Sequence, residues 1–262
     1  MHRLSLLLLL AGWPAALTGQ RVRPFQITDN SMLVEEAFNQ EAGIFQNMVV
    51  FQRSGSGGQW TMDFTQEWPL RSQKHQLSYT LPFRLDGFVM RKTALHYRYQ
   101  LRAEDDTGPA LSPRLTLMLP TGPDDGFQWG TQLNIPVSRQ MGDLYGHANV
   151  GVTWDRRDAG LSGPSGVGTV SMISPHAAGS LIWRTLPMVH VLLESVVRLE
   201  EVQATGCCRA EYDTSWLVSP GFRVGRNLGH EQLVFGVGVP MAVVGAGGTS
   251  LLLYMSYELP FR

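Results

Sequence analysis

Apolar and polar residues alternate along the chain between residues 60 and 83. In the first half of this stretch the even positions are mainly apolar: Trp60, Met62, Phe64 and Trp68. The odd positions are polar: Thr61, Asp63, Thr65 and Glu67. Because successive side chains of a β-strand point to opposite faces, the pattern predicts a hairpin with one apolar and one polar face. The run from Trp60 to Trp68 would span roughly 26 Å, or about 20 Å of height when tilted, close to the apolar band of an outer membrane.

The same alternation recurs to the end of the chain and predicts about twelve strands. The candidates centre on residues 44–53, 59–68, 75–84, 92–102, 112–120, 127–138, 143–155, 173–185, 188–200, 214–225, 231–242 and 250–261. Short connections such as residues 139–143 alternate with longer ones such as residues 155–168, as periplasmic turns and outer loops do in bacterial barrels. An even strand number is typical of those barrels. The sequence therefore predicts an all-β fold, an antiparallel transmembrane β-barrel.

The tryptophans support this interpretation. Of the seven, Trp13 lies near the N-terminus. The other six lie near the ends of predicted strands: Trp60, Trp68, Trp129, Trp154, Trp183 and Trp216. Indole rings favour the membrane interface, which accommodates both an apolar body and one N–H donor. In a soluble β-sandwich some of them would be expected in the middle of strands, in the core.

The N-terminus has the pattern of a secretory signal. His2 and Arg3 precede an apolar run over residues 4–10, small residues follow, and cleavage is expected before Gln20. In the leader that follows, Ser31 could cap a short helix. The leader is interpreted either as a plug or as an ordered segment packed at the base of the barrel. The predicted division is a signal peptide over residues 1–19, an N-terminal helical leader or plug over residues 20–42, and the barrel over residues 43–262.

Composition and charge narrow the class of partner. Charged residues make up 16% of the chain, which is low for a soluble protein and fits strands that face lipid on one side. The net charge of −1 argues against a nucleic-acid partner. The two cysteines, Cys207 and Cys208, are neighbours in a predicted loop, so no disulfide framework holds the chain together. They could form a vicinal disulfide in an oxidising compartment or stay free.

Charged side chains recur at the polar positions of the predicted strands. On the lipid face each would cost about 2–4 kcal/mol near the midplane, so we expect them to line the lumen. The candidate lumen-lining residues are Asp63, Glu67, His96, Arg98, Arg102, Arg114, Glu194, Arg198, Arg223 and Glu258. Arg98, Arg102 and Arg114 could form a positive ladder opposite Asp63 and Glu67. Such a ladder would be either a selectivity constriction or a structural ion-pair network that fills a narrow barrel.

Motifs for catalysis and cofactor binding are absent. No Gly-x-Ser-x-Gly nucleophile elbow and no His-x-x-x-His metal spacing occurs. Gly236-Val-Gly238 lacks the third glycine of a dinucleotide loop. The sequence therefore predicts no catalytic residues, no metal and no cofactor, and the protein is not expected to be an enzyme.

Several segments resemble a known family. They are DNSMLVEEAFNQE at 29–41, LHYRYQL at 95–101, LMLPTG at 117–122, QLNIPVS at 132–138 and YELPF at 257–261. The chain resembles the outer-membrane barrel family labelled "MetA-pathway of phenol degradation" over most of residues 28–262. The resemblance implies a transporter or channel for small aromatic or hydrophobic compounds, and it offers no catalytic residues. The last strand, Leu251 to Phe261, also looks like the C-terminal signal read by the barrel-assembly machinery, although Arg262 follows the aromatic residue that usually ends it.

These observations lead to one favoured function and two alternatives. The favoured one is a bacterial outer-membrane channel or facilitator for a small solute, with membrane lipid and the assembly machinery as partners and no role for nucleic acid. The first alternative is a structural or adhesive barrel with a filled lumen and functional outer loops. The second, less favoured, is a membrane-embedded lipid hydrolase.

Overall fold

The computed structural model describes residues 27, 31–55, 57–123, 128–158, 169–202 and 211–261. The predicted signal peptide and the Cys207-Cys208 pair lie outside these ranges. No helix within them is long and apolar enough to cross a membrane.

The described residues form fifteen β-strands. Their bounds are β1 Ile44–Arg53, β2 Trp60–Leu70, β3 Ser72–Arg84, β4 Val89–Met90, β5 Thr93–Tyr99, β6 Ala110–Leu111, β7 Arg114–Leu119, β8 Gly130–Met141, β9 Leu144–Asp158, β10 Thr169–Leu186, β11 Val189–Val202, β12 Glu211–Leu228, β13 Glu231–Gly238, β14 Met241–Val244 and β15 Leu251–Pro260. Three short pieces, β4, β6 and β14, pair beside longer neighbours. The other twelve form one antiparallel sheet.

This sheet closes on itself. Its order runs β11-β10-β9-β8-β7-β5-β3-β2-β1-β15-β13-β12, and β12 pairs with β11 from Val189↔Val224 to Val202↔Glu211. The last strand, β15, pairs with the first, β1, from Ile44↔Pro260 to Arg53↔Leu251. The predicted twelve-stranded antiparallel barrel is confirmed. Closure leaves no edge strand with unpaired backbone groups, as a membrane-spanning sheet requires.

Two predicted strands are shorter or broken in the structure. The strand predicted over residues 92–102 ends at Tyr99, and the chain then makes an excursion with isolated bridges at Arg102↔Leu111 and Asp105↔Gly108 before β7. The strand predicted over residues 231–242 is split into β13 and β14. Pro240 lies at the break, where its missing N–H cannot join the ladder.

The two ends of the barrel differ. At one end the connections between strands are very short, and Gly142 (φ 62°) and Gly229 (φ 71°) supply the left-handed backbone that two of these turns need. The excursion between β5 and β7 is the long connection at this end. At the other end the connections are mostly longer, for example residues 159–168 between β9 and β10. We call these the short-turn end, where β1 begins and β15 ends, and the long-loop end.

The outer surface is apolar and the inner surface is mostly polar. On paired strands, Leu181 and Leu193 are 51% and 50% exposed, whereas their neighbours Ser180 and Glu194 are 3% and 1% exposed. Such alternation is what a barrel with lipid outside and a polar lumen inside requires. Near the long-loop end, Trp129 packs edge to face on Trp154 with ring centroids 4.7 Å apart, as expected of an aromatic girdle.

Candidate functional site

The chain that precedes β1 lies inside the barrel. We call residues 31–42 the N-terminal segment. Ser31 Oγ donates to Ser180 Oγ on β10 (3.2 Å), and Gln40 N–H donates to Gln76 Oε1 on β3 (2.7 Å). Between these contacts, Met32 packs against β13 and β15. A short segment can reach strands all around a closed ring only from within, so it occupies the lumen.

The segment enters from the short-turn end and reaches about mid-depth. Ala37 N–H donates to Ser138 Oγ (2.7 Å), close to the end of β8 at Met141. Ser31 lies deeper, since Ser180 precedes the end of β10 by six residues. Ile27 is back at the short-turn end, where a Cβ on Gly225 would lie 2.7 Å from Ile27 Cγ1. The described residues of the leader therefore lie in the half of the lumen next to the short-turn end.

The N-terminal segment is not a helix. Residues 31–42 form bends and irregular backbone, which corrects the predicted helix over this part of the leader; residues 20–26 and 28–30 lie outside the described ranges. The N–H groups of Leu33 and Val34 both donate to Glu194 Oε1, at 3.0 and 3.1 Å. Ala37 and Gln40 donate to Ser138 and Gln76, so wall side chains take N–H groups that a helix would have used internally.

One asparagine holds the backbone of the segment at Glu35. Asn149 Oδ1 on β9 accepts from Glu35 N–H (2.9 Å), and Asn149 Nδ2 donates to Glu35 C=O (2.8 Å). This paired contact resembles the way a neighbouring strand would bond a residue. It fixes the position from which the Glu35 side chain reaches β7 and β5, two and three strands away in the sheet.

The Glu35 carboxylate meets two arginines. Arg98 on β5 and Arg114 on β7 are directly opposite each other in register. Arg98 lies 3.5 Å from one Glu35 oxygen, and Arg114 is in contact with the other. Arg98 is only 3% exposed and also donates to Phe38 C=O (3.2 Å). The two predicted lumen residues therefore form one cation pair, with Arg98 buried and Arg114 partly buried, neutralised in part by a carboxylate from the segment.

Two further predicted residues lie beside this pair. Gln76 Nε2 donates to Glu67 Oε2 (2.7 Å), and Glu67 is close enough to interact electrostatically with Arg114. His96 bonds two threonine hydroxyls, Nδ1 with Thr116 (2.8 Å) and Nε2 with Thr80 (3.1 Å). These bonds tie the wall together across neighbouring strands on the inner face of the barrel.

An apolar cluster lies elsewhere on the lumen wall, on strands that also carry buried polar groups such as Glu194 and Arg223. Its buried inward side chains pack with Ile27 and Met32: Met48, Tyr145, Ile182, Leu192, Val234, Leu252 and Tyr254. A Cβ on Gly236 would lie 2.4 Å from Met32 Cε, and one on Gly238 would lie 3.4 Å from Met32 Sδ. The Gly236-Val-Gly238 run, which is too short for a dinucleotide loop, thus provides a notch for a methionine.

The remaining predicted residues are spread over the lumen and its ends. Arg223 and His190 are buried together on β12 and β11, with the guanidinium 3.3 Å from His190 Nδ1. Glu258 is buried near the short-turn end, where a cavity of about 230 Å³ lies between the segment and the wall. Asp63 is partly exposed and Arg198 exposed in the long-loop half, so neither joins the arginine pair.

Arg102 does not extend the arginine pair into a ladder. Its guanidinium donates to Asp105 Oδ1 (2.9 Å) and Thr107 Oγ1 (2.6 Å) within its own turn. The Thr107 hydroxyl and then Arg102 hold the pKa of Asp105 at about 2, so this carboxylate is ionised at neutral pH. The described residues contain no group of three His, Cys, Asp or Glu side chains that could hold a metal ion.

A serine, a histidine and a glutamate do come together, but they hold the segment. Ser138 Oγ lies 2.7 Å from His147 Nδ1, and His147 Nε2 lies 3.6 Å from Glu36 Oε1. An acyl-transfer triad needs a serine oxygen that substrate can reach. Ser138 is 1% exposed and its oxygen accepts the Ala37 N–H, so no ester can reach it in this conformation.

Gly151 on β9 lies where the polar wall leaves no room for a side chain. At Gly151 a Cβ would lie 2.5 Å from both the Leu133 carbonyl oxygen and the His176 ring. We expect Gly151→Ala to lower the free energy of unfolding by about 1–3 kcal/mol, since backbone cannot yield as a flexible side chain can. Denaturant titration of the refolded protein in detergent measures it. The control is Gly146→Ala on the same strand, where the nearest atom would be at 3.8 Å and little change is expected. Equal effects of the two substitutions would contradict the packing argument.

Sequence reasoning did not identify the residues that organise this site. Met32, Glu35, Gln76, Ser138 and Asn149 were not among the candidates, although the leader had been considered as a plug. The charge pattern of the sequence could have indicated the contact between the leader and the arginines. The leader carries adjacent glutamates, Glu35 and Glu36, ahead of a barrel whose inward positions include arginines.

Comparison with known proteins bears on the fold. No protein-family model matches the chain, so the resemblance to the phenol-degradation family stays a prediction. No curated protein matches it either. Among solved structures, the chain is similar to the COG4313 outer membrane channel from Pseudomonas putida F1, with a TM-score of 0.60 and 15% identity over 85% of this chain and 97% of that one. It is also similar to the NanC porin, with a TM-score of 0.55 and 8% identity over 82% of this chain and 99% of that one. At these identities the likeness shows the fold, an outer-membrane β-barrel.

Proposed function

We propose that the protein is a bacterial outer-membrane channel or facilitator for a small solute, closed in this structure by its N-terminal segment. The proposal rests on one observation: the N-terminal segment fills part of the lumen. A small structural barrel is filled by side chains from its own wall. Here the half of the lumen next to the short-turn end holds the N-terminal segment, which is not part of the sheet. Its backbone is hydrogen-bonded to wall side chains such as Glu194, Asn149 and Ser138. Such a piece can leave without dismantling the wall.

The distribution of exposure supports a path that ends at the segment. In the long-loop half, inward positions such as Arg198 and Asp63 are exposed or partly exposed. In the short-turn half, Arg98, Glu194 and Arg223 are buried. Water therefore enters from the long-loop end and stops where the segment begins. A solute would follow the same route.

The apolar cluster in the lumen supports a solute with apolar character. The resemblance to the "MetA-pathway of phenol degradation" family points to small aromatic or hydrophobic compounds. A lumen whose buried surface includes Ile182, Leu192, Val234 and Leu252 offers such a compound a favourable contact. The strand that closes the ring, β15 with Phe261, is proposed as the segment that the barrel-assembly machinery reads.

A reversible lock on the segment tests the proposal. Ser31 and Ser180 have their Oγ atoms 3.2 Å apart, so cysteines at both positions are within reach of a disulfide. We expect Ser31→Cys/Ser180→Cys, made in a Cys207→Ser/Cys208→Ser background, to conduct severalfold less in planar bilayers when oxidised than when reduced. The reason is that the disulfide holds the segment in the lumen.

The single variants Ser31→Cys and Ser180→Cys are the controls and should not respond to reductant. Equal conductance of the oxidised and reduced double variant would show that the segment is not the closure. A double variant, wild type and controls that all pass neither ions nor solutes would instead favour the structural barrel with a filled lumen.

A further inference from the structure

We infer that the lumen holds a binding site for a small carboxylate with an apolar body, and that the N-terminal segment occupies this site with its own side chains. Glu35 stands where the ligand carboxylate would bind, and Met32 stands where the apolar body would lie. The inference rests on the proposed channel function and names the class of its solute.

The carboxylate half of the site is the Arg98–Arg114 pair. The two guanidinium groups come from adjacent strands at directly opposed positions, and both contact the Glu35 carboxylate. Guanidinium groups bind carboxylates through planar, charge-assisted hydrogen bonds that strengthen when water is excluded. The pair can therefore hold one carboxylate, and in this structure it holds the carboxylate of Glu35.

Charge balance explains why an anion would be drawn in. The charged and titratable groups around the pair are Glu35, Glu67, His96 and His176. With Glu35 in place, two arginines face two glutamates. Once the segment leaves, Glu67 is the one carboxylate that stays near Arg114 among the described residues, and Arg98 is buried in the wall. A buried charge without a partner is costly, so a second carboxylate is favoured at the vacated position.

The apolar half lies across the lumen. Met32 fills the notch over Gly236 and Gly238 and packs with Leu252 and Tyr254. Three residue steps separate the Cα atoms of Met32 and Glu35, a span of at most about 10 Å, and the two side chains extend beyond it toward opposite walls. A ligand that replaces both contacts would therefore carry its apolar group at the far end from its carboxylate.

Binding to the full-length protein in detergent tests the site with 3-phenylpropionate and its neutral amide, 3-phenylpropanamide. We expect the acid to bind Glu35→Gln roughly tenfold more tightly than wild type, because the competing carboxylate is gone and a hydrogen bond to a charged group is worth that order of affinity. The amide should bind both proteins weakly. Equilibrium dialysis gives the affinities, and heat-dependent gel migration checks that each variant is folded.

Substitution of the pair completes the test. In the Glu35→Gln background, Arg114→Gln should weaken acid binding roughly tenfold, while Arg114→Lys, which keeps the charge if the neutral variant does not fold, should weaken it less. Arg84→Gln is the control, since Arg84 pairs with Asp86 in an exposed position. Equal binding of acid and amide, or acid binding unchanged by Arg114→Gln or Arg114→Lys, would overturn the site.

The same proteins in planar bilayers separate this inference from the proposed function. Current in Glu35→Gln that 3-phenylpropionate blocks and the amide does not would support both. Current that both probes affect equally would remove the carboxylate site and leave the channel. Absence of current in every variant, with selective binding in dialysis, would remove the channel and retain the binding site.

Discussion

Leu193→Arg is expected to destabilise the folded barrel by about 2–4 kcal/mol, since a charge on the lipid face near the midplane of a membrane barrel costs that much. Leu193 is half exposed on the outer surface and pairs with Leu181 and Pro220 on the neighbouring strands. It lies four residues beyond the start of β11, roughly 10 Å from the short-turn end, which is near the middle of a band about 25 Å tall. The measurement is reversible unfolding in phospholipid bilayers.

The matched control for this prediction is Leu186→Arg. Leu186 is equally apolar and 60% exposed, but it ends β10 at the short-turn end, where an arginine reaches water. Its cost should fall to about 0–1 kcal/mol, as found for interfacial positions. A similar cost at both positions would mean that the band of exposed leucines does not lie in lipid.

Arg114→Met is expected to release the N-terminal segment from the lumen. The substitution leaves the partly buried Glu35 carboxylate with Arg98 as its one remaining cation among the described contacts. Breaking a buried pair by removing one partner costs about 3 kcal/mol or somewhat more, which would lower the equilibrium constant for seating the segment in the lumen by about a hundredfold. Limited proteolysis with chymotrypsin measures this, because Leu33 and Phe38 become accessible once the segment leaves.

A double substitution shows whether charge is the cause. In Arg114→Met/Glu35→Gln the unpaired carboxylate is removed together with its partner. The segment should then resist cleavage better than in Arg114→Met alone, with the difference giving the coupling between the two residues. If both variants are cleaved at the same rate, the segment is held by its backbone contacts with Asn149, Ser138 and Glu194 rather than by the ion pair.

The strands could be predicted because their signal is local. The side chains of β1, β9 and β11 alternate between lipid and lumen. Apolar and polar residues therefore alternate in the sequence of each strand. The predicted ranges 44–53, 143–155 and 188–200 therefore lie close to the observed strands Ile44–Arg53, Leu144–Asp158 and Val189–Val202. Strand boundaries failed where a proline or an excursion intervened, as after Tyr99 and at Pro240.

The site could be predicted only in part, because its two halves are far apart in sequence. Arg98 and Arg114 were assigned to the lumen by parity, yet nothing local to either residue indicates that their partner is Glu35. Arg102 was grouped with them by spacing, and instead it bonds within a turn. The helix predicted from Ser31 onward failed for the same reason. Local propensity favoured it, but Glu194, Ser138 and Gln76 supply bonds that only a closed ring brings within reach.

The sequence by itself determined that this chain forms a barrel of about twelve strands with an apolar exterior, because lipid and water impose a two-residue period on every strand. The tertiary structure alone decided what lies inside. Closure of β1 on β15 and of β11 on β12 creates an interior in which Met32 and Glu35 meet opposite walls, and those contacts join residues that are up to about 220 positions apart.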